Sequence, residues 1–174
     1  MKKINFISRY TAFFLIVTLI TGIVISCTEK DSDIVKPKTI TDVILQNSEF
    51  STLREIILAN DLSDALRTEN ITIFAPNNAA FVISKITSAQ INALPKDSAR
   101  AFVFKHIIGQ NQTYETLKTQ KYATLAKGDS LAITSRTTDP TTLILNGLAN
   151  VITKNVNADN GSIQVVNHTL VNIK

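Results

Sequence analysis

The chain has one Cys, no Trp, two His, five Gly and four Pro in 174 residues, and only 18% of it is charged. A single Cys excludes an intramolecular disulfide framework and any cysteine-based zinc finger. The few Gly and Pro exclude a collagen-like or low-complexity chain, and an apolar fraction of 44% excludes a wholly disordered one. The length suits one domain with a sizeable core. The two His have no H-x-x-x-H or H-E-x-x-H spacing, which argues against a zinc site. G-x-S-x-G, the P-loop and the dinucleotide fingerprint are all missing, and no Ser is marked as activated. These gaps point to a protein that is not an enzyme and carries no cofactor or metal.

The formal charge of +4 is unevenly placed. Lys2, Lys3 and Arg9 precede an apolar stretch from Ala12 to Ile25, and no acid occurs before Ser26. A basic start, an apolar run too short for a spanning helix and a small residue before a break form a secretory signal layout. The break, Val24-Ile25-Ser26-Cys27, resembles a bacterial lipoprotein cleavage box, which implies that the Cys27 thiol carries a lipid. Removing residues 1–26 leaves a formal +1 with scattered Lys, so a nucleic-acid partner loses its support. The stretch from Cys27 to Lys38 (CTEKDSDIVKPK) then reads as a polar tether, and 39–174 as the folded domain. The expected location is the cell envelope, with the protein lipid-anchored at the outer membrane and open to surface exposure.

Within the domain, helical patterns come first. Thr39–Asn47 has Thr41 as an N-cap candidate, and Phe50, Leu53, Ile56 and Ile57 recur at helical spacing, followed by Leu62 and Leu66. Ile71–Ala75 reads as a short strand stopped by Pro76, with Asn77 and Asn78 offering a cap for the next helical turn. Pro95–Ile108 reads as one helix with Ala99, Phe102, Val103, His106 and Ile107 on its apolar stripe, ended by Gly109 in a left-handed conformation. From Tyr122 onward, Thr/Val/Ile/Leu runs alternate with Lys127-Gly128-Asp129, Asp139-Pro140, Asn146-Gly147 and Asn160-Gly161. That texture predicts about six short, largely antiparallel strands packed with the helices as one α+β domain.

Two segments carry a resemblance. Thr72-Ile73-Phe74-Ala75-Pro76-Asn77-Asn78-Ala79-Ala80-Phe81 is similar to the T-x-F-A-P-x-N-x-A-F motif of the fasciclin-like domain family, and Asn155 to Asn167 (NVNADNGSIQVVN) is similar to its D-I-x-A-x-N-G-x-I-H-x-I-D motif. Between them, Phe102 to Ile108 (FVFKHII) resembles the family's L-L-x-Y-H-V-V helix end, and Tyr122 to Ser135 resembles its T-L-x-G-x-x-L-x-V strand pair. The resemblance implies a wedge-shaped, mostly antiparallel sheet with N-terminal helices packed on it, working in adhesion or matrix contact. Thr72, Phe74, Ala75, Pro76, Asn78, Phe81, Asn160, Gly161, Ile163 and Val165 occupy motif positions whose chemistry is mainly scaffolding. Lys105, Gln164 and Asn167 depart from the family's Tyr, His and Asp, so an integrin-type Tyr-His activity does not carry over.

Lys105, His106 and Tyr122 are the candidate binding residues, although His106 on an apolar stripe reads first as a satisfied core histidine. His168 is expected in the closing strand at the surface. Ser98 and Ser130, in Asp-Ser-aliphatic triplets, are candidate O-glycan acceptors. The expected function is contact with a surface protein or a polysaccharide. The alternative is a carrier or accessory role for a small ligand or glycan in an envelope uptake system, with a pocket between sheet and helices reached by His106 or Tyr122.

Overall fold

The computed structural model describes residues 38–171. The signal segment, Cys27 and the tether up to 37 lie outside the described residues, as do 172–174.

The first helix, α1 (Ile40–Gln46), begins one residue after Thr39, which forms a capping box with Asp42. Thr41, the expected cap, is instead buried inside the first turn, where its hydroxyl donates to the Ser63 carbonyl at 2.8 Å. A 3₁₀ turn (Ser48–Phe50) leads into α2 (Ser51–Ala59), which buries Leu53, Ile56 and Ile57 at the spacing the sequence predicts. The helical pattern through Leu62 and Leu66 does not extend α2. Asp61 adopts φ +56° and breaks it, and Leu66 is buried from a separate 3₁₀ turn (Ala65–Arg67).

Strand β1 (Ile71–Pro76) includes Pro76 as its last residue and is buried throughout. Asn77 caps α3 (Asn78–Ser84) by accepting from the Ala80 amide at 2.9 Å. Two further helices follow, α4 (Ser88–Asn92) and α5 (Lys96–Phe104). α5 is shorter than its apolar stripe implies: Ile107–Ile108 leaves the helix to pair with β1 as β2, and Gly109 does not take a left-handed φ. The remaining strands are β3 (Lys121–Ala123), β4 (Ser130–Arg136), β5 (Asp139–Leu145), β6 (Ala149–Ala158) and β7 (Gly161–Val166). These are five strands rather than the expected six, because Asp139-Pro140 opens β5 instead of separating two strands.

The seven strands form one sheet in the order β2-β1-β7-β6-β5-β4-β3, with a single parallel pair, β1 and β7. Alternation along that pair sorts side chains by face. Ile71, Ile73, Ala75, Ile163 and Val165 pack with the helices, while Phe74 and Val166 join a second apolar cluster with Ile108, Leu131, Ile133 and Leu145. The sheet curls until its two edges meet. Ile108 bridges to Thr124 just past β3, and the Leu125 amide donates to the Ile107 carbonyl at 2.9 Å. This contact leaves little of either edge open to a foreign strand.

The sheet also splits. β6 carries two bulges, between Val151 and Thr153 and between Thr153 and Val156, and pairs with β5 only at Asn150 and Ala149. Tyr114 fills the gap. Its hydroxyl donates to the Thr141 carbonyl at 2.8 Å and accepts from the Leu143 amide at 3.0 Å, and the Lys154 ammonium lies 3.8 Å from its ring centroid.

Gly161 starts β7 directly beside Ile71 of β1. A Cβ at that position meets the Ile71 carbonyl oxygen at 1.9 Å and its carbon at 2.9 Å. Both are ladder backbone and have no room to shift without breaking pairing. Gly161→Ala is therefore expected to destabilise the fold by about 3 kcal/mol or more, read as a lowered urea midpoint at unchanged slope. A loss below about 1 kcal/mol would contradict the close-approach account.

Candidate functional site

The motif residues resolve into four positions in the fold. Asn78 does not cap its own helix. Its Oδ1 accepts from the Thr52 amide at 3.1 Å and the Ser51 hydroxyl at 3.2 Å, and its Nδ2 donates to the Ser48 carbonyl at 2.9 Å. It therefore holds the start of α2 against α3. Asn160 acts similarly at the β6–β7 turn: it accepts from the Ile40 amide at 2.8 Å and donates to the carbonyls of Leu66 and Thr68 at 2.8 and 2.9 Å. Phe81 packs with Phe102 at 6.4 Å between ring centroids, and Ala75, Ile163 and Val165 belong to the same helix-facing core.

Thr72 belongs to a polar network on the other sheet face, with Ser162 and Gln164. The Thr72 hydroxyl donates to the Gln110 carbonyl at 2.7 Å and accepts from the Gln112 amide at 2.8 Å. Ser162 donates to the Gln112 carbonyl at 2.7 Å. Gln164 is fully buried, donates to Asn155 Oδ1 at 2.8 Å and accepts from the Asn155 amide at 3.0 Å. Asn155 Oδ1 in turn accepts from the Tyr114 amide at 2.7 Å. Buried polar side chains normally cost stability unless they are paired. Here the pairing fixes the backbone of the loop joining β2 to β3.

The three candidate binding residues are not brought together. His106 is 2% exposed and sealed. The Leu170 amide donates to its Nε2 at 3.0 Å, which places the proton on Nδ1, facing the Phe102 carbonyl at 2.8 Å. This is the satisfied core histidine read from the sequence, although it lies past the end of α5 rather than on its stripe. Lys105 is half-buried and faces Asp129 at 3.7 Å. Tyr122 is 6% exposed, and its hydroxyl accepts from the Lys118 amide at 2.8 Å. Of the two residues expected to reach a pocket, His106 is sealed from the surface. His168 is half-buried past the end of β7, where Nδ1 lies 3.0 Å from the Ser84 hydroxyl, so it is neither in the strand nor free at the surface. Ser98 and Ser130 are both exposed.

Tyr122 does border an open hollow of about 460 Å³ on the β2–β3 loop. Gln110, Gln112 and Gln120 line it, together with Glu115 and Lys118. The Glu115 carboxyl is held below its usual range, first by its own backbone amide and then by the Asn155 side chain, which donates to it at 2.8 Å. No motif in the sequence marks this loop. The available signal was compositional: 110–120 (QNQTYETLKTQ) is polar, amide-rich and without period between two strands. No group of His, Cys, Asp and Glu able to hold a metal occurs among the described residues.

The sequence profile of the fasciclin domain matches residues 48–172. Protein sll1483 of Synechocystis sp. is 32% identical over 136 residues, covering 76% of this chain and 73% of that protein. Among solved structures, a FAS1 domain pair from the insect cell adhesion molecule fasciclin I matches with a TM-score of 0.53 and 22% identity over 68% of this chain. The chain covers 44% of that domain pair, and the likeness is one of fold.

The seal around His106 sets a pH dependence. Burial pushes its pKa from 6.5 down to about 4, against the opposing pull of the Phe102 carbonyl and Asp129. Between those values the unfolded chain binds a proton that the folded one refuses. Stability is therefore full above about pH 6.5 and falls as the pH drops toward 4, by about 3 kcal/mol from this residue. Urea titrations at stepped pH check this, and His106→Gln is expected to flatten that window. An unchanged slope in the variant would remove His106 as the cause.

Proposed function

The chain belongs to the fasciclin domain family, a domain known in adhesion-type proteins, and from that membership we propose that it is a lipid-anchored cell-envelope protein working by surface contact rather than catalysis. The observation that carries this reading is how the motif side chains are used. Thr72, Asn78, Asn160 and Gln164 make internal bonds, and His106, the most buried titratable ring, is satisfied on both nitrogens. General acid–base or nucleophilic work needs such a group poised toward substrate. The hollows are open and shallow, which supports contact with an extended partner over enclosure of a small one.

The lone Cys27 after a signal-like segment supplies the anchoring half of the proposal. Acyl chains on that thiol and on the new amino terminus hold a protein at a bilayer through many buried methylenes. Metabolic labelling with a clickable fatty acid is expected to mark the wild type and to leave Cys27→Ser unmarked. Equal labelling of the two would end the lipoprotein reading. Protease shaving of intact cells then reports whether the domain faces outward.

A further inference from the structure

Most side-chain amides in the described residues have internal work. Asn77, Asn78 and Gln90 secure helix starts, Asn155, Asn160 and Gln164 fasten turns and a loop, and Asn60 and Asn146 bond to carbonyls. Gln110, Gln112 and Gln120 share an unpaired side-chain amide with Gln46, Asn70, Asn111, Asn150 and Asn157, but they alone among these line one hollow together. Among the described residues their side-chain amides make no protein hydrogen bond, although the backbones of all three are held: the Gln110 carbonyl by Thr72, Gln112 by Thr72 and Ser162, and the Gln120 carbonyl by the Ile133 amide at 2.9 Å. The three unpaired amides line one hollow. Buried Thr72 and Ser162 thus hold the backbone at Gln110 and Gln112, and β4 holds it at Gln120, so the three amides project from a fixed frame, which lowers the ordering cost of binding.

The groups define what fits. A primary amide presents a donor and an acceptor side by side, matching a pair of neighbouring hydroxyls. Glu115 adds an acceptor and Lys118 a donor, and Tyr122, whose hydroxyl accepts from the Lys118 amide, completes the lining. One negative and one positive side chain cancel, which disfavours a strongly charged polyanion. Tyr122 is the one ring in the lining and is 6% exposed, so the hollow offers no open aromatic face. The hollow is open, with a volume of about 460 Å³, which suits part of an extended chain lying across it rather than an enclosed small molecule.

We infer that the β2–β3 loop hollow is a binding site for a neutral, hydroxyl-rich saccharide chain. The inference rests on the contact-domain reading above and names its site and ligand chemistry. Of the aromatic rings among the described residues, only Phe104 is not buried, and it lies half-buried beside Arg100 at 4.6 Å. The site therefore works by hydrogen bonds without ring stacking, and single-site affinity is weak. Many copies on one membrane offset this through avidity.

The test uses ¹H–¹⁵N spectra of the full chain in detergent micelles, titrated with cellotriose, maltotriose and laminaritriose. Trigalacturonate serves as the anionic arm and tri-asparagine as the polar-peptide arm. At least one neutral trisaccharide is expected to shift the side-chain amide signals of Gln110, Gln112 and Gln120 saturably, in the millimolar range. Gln112→Ala and Gln120→Ala are each expected to weaken binding by about tenfold. Should Gln112→Ala lose the dispersed spectrum of the folded loop, Gln120→Ala carries the test from a separate segment. The inference is overturned if no neutral trisaccharide moves these signals by about 50 mM, if trigalacturonate or the peptide moves them equally, or if the variants bind unchanged. Saccharide binding that persists in Cys27→Ser, with or without fatty-acid labelling of the wild type, separates this site from the anchoring proposal.

Discussion

The parallel ladder between β1 and β7 is the constraint on which the rest of this domain depends. Residues Ile71–Pro76 and Gly161–Val166 run side by side in continuous register, and every residue in both strands is buried. Parallel neighbours cannot be joined by a tight turn, so the intervening chain must leave, build structure and return. Everything from α3 to β6 is that excursion. Its return is possible only because Gly161 has no side chain where the Ile71 carbonyl passes. Asn160, one residue earlier, ties α1 and the Leu66–Thr68 segment to the same point, so the N-terminal helix and the closing hairpin are set together.

The two faces of that ladder have different uses. The face toward the helices is aliphatic and supplies packing. The opposite face combines Phe74 and Val166 with Thr72, Ser162 and Gln164. Three polar side chains in a buried sheet are acceptable only where each finds a partner: Thr72 and Ser162 find it in the backbone of a long, irregular loop, and Gln164 in Asn155 of β6, whose Oδ1 also accepts from the Tyr114 amide of that loop. The result is a loop without secondary structure between β2 and β3 that is nevertheless held by specific bonds. Tyr114 of the same loop plugs the split between β5 and β6, which the two β6 bulges leave open. Order in the loop and closure of the sheet are thus one set of interactions.

Much of this is legible in the residues. The spacing of Leu53, Ile56 and Ile57 marks α2, and the β-branched run from Ile71 marks β1. Asn146-Gly147, both at positive φ, marks a hairpin turn. The misreadings have local causes. The apolar stripe of α5 continues into Ile107-Ile108, and periodicity alone cannot tell a helix end from a short strand when both are buried. Thr41 looks like a cap because it precedes an aspartate and an apolar turn, but Thr39 has the same Asp three residues on, which completes a capping box. The hollow of the β2–β3 loop is not legible in the sequence because its residues are ordinary polar ones, and only their shared opening distinguishes them.

By itself, the sequence determines the family motifs, the α+β class, the signal-like start with its single Cys, and which residues are apolar enough to be buried. Those properties depend on composition and short-range spacing, which a linear chain already contains. Tertiary structure alone decides what the motif polar groups do: that Asn78 serves the helix before it, that Gln164 bonds to Asn155 of β6, and that His106 is sealed by an amide 64 residues away. Hydrogen-bond partners of buried polar groups are chosen by three-dimensional proximity under the cost of leaving any of them unpaired. No spacing rule along the chain encodes that choice.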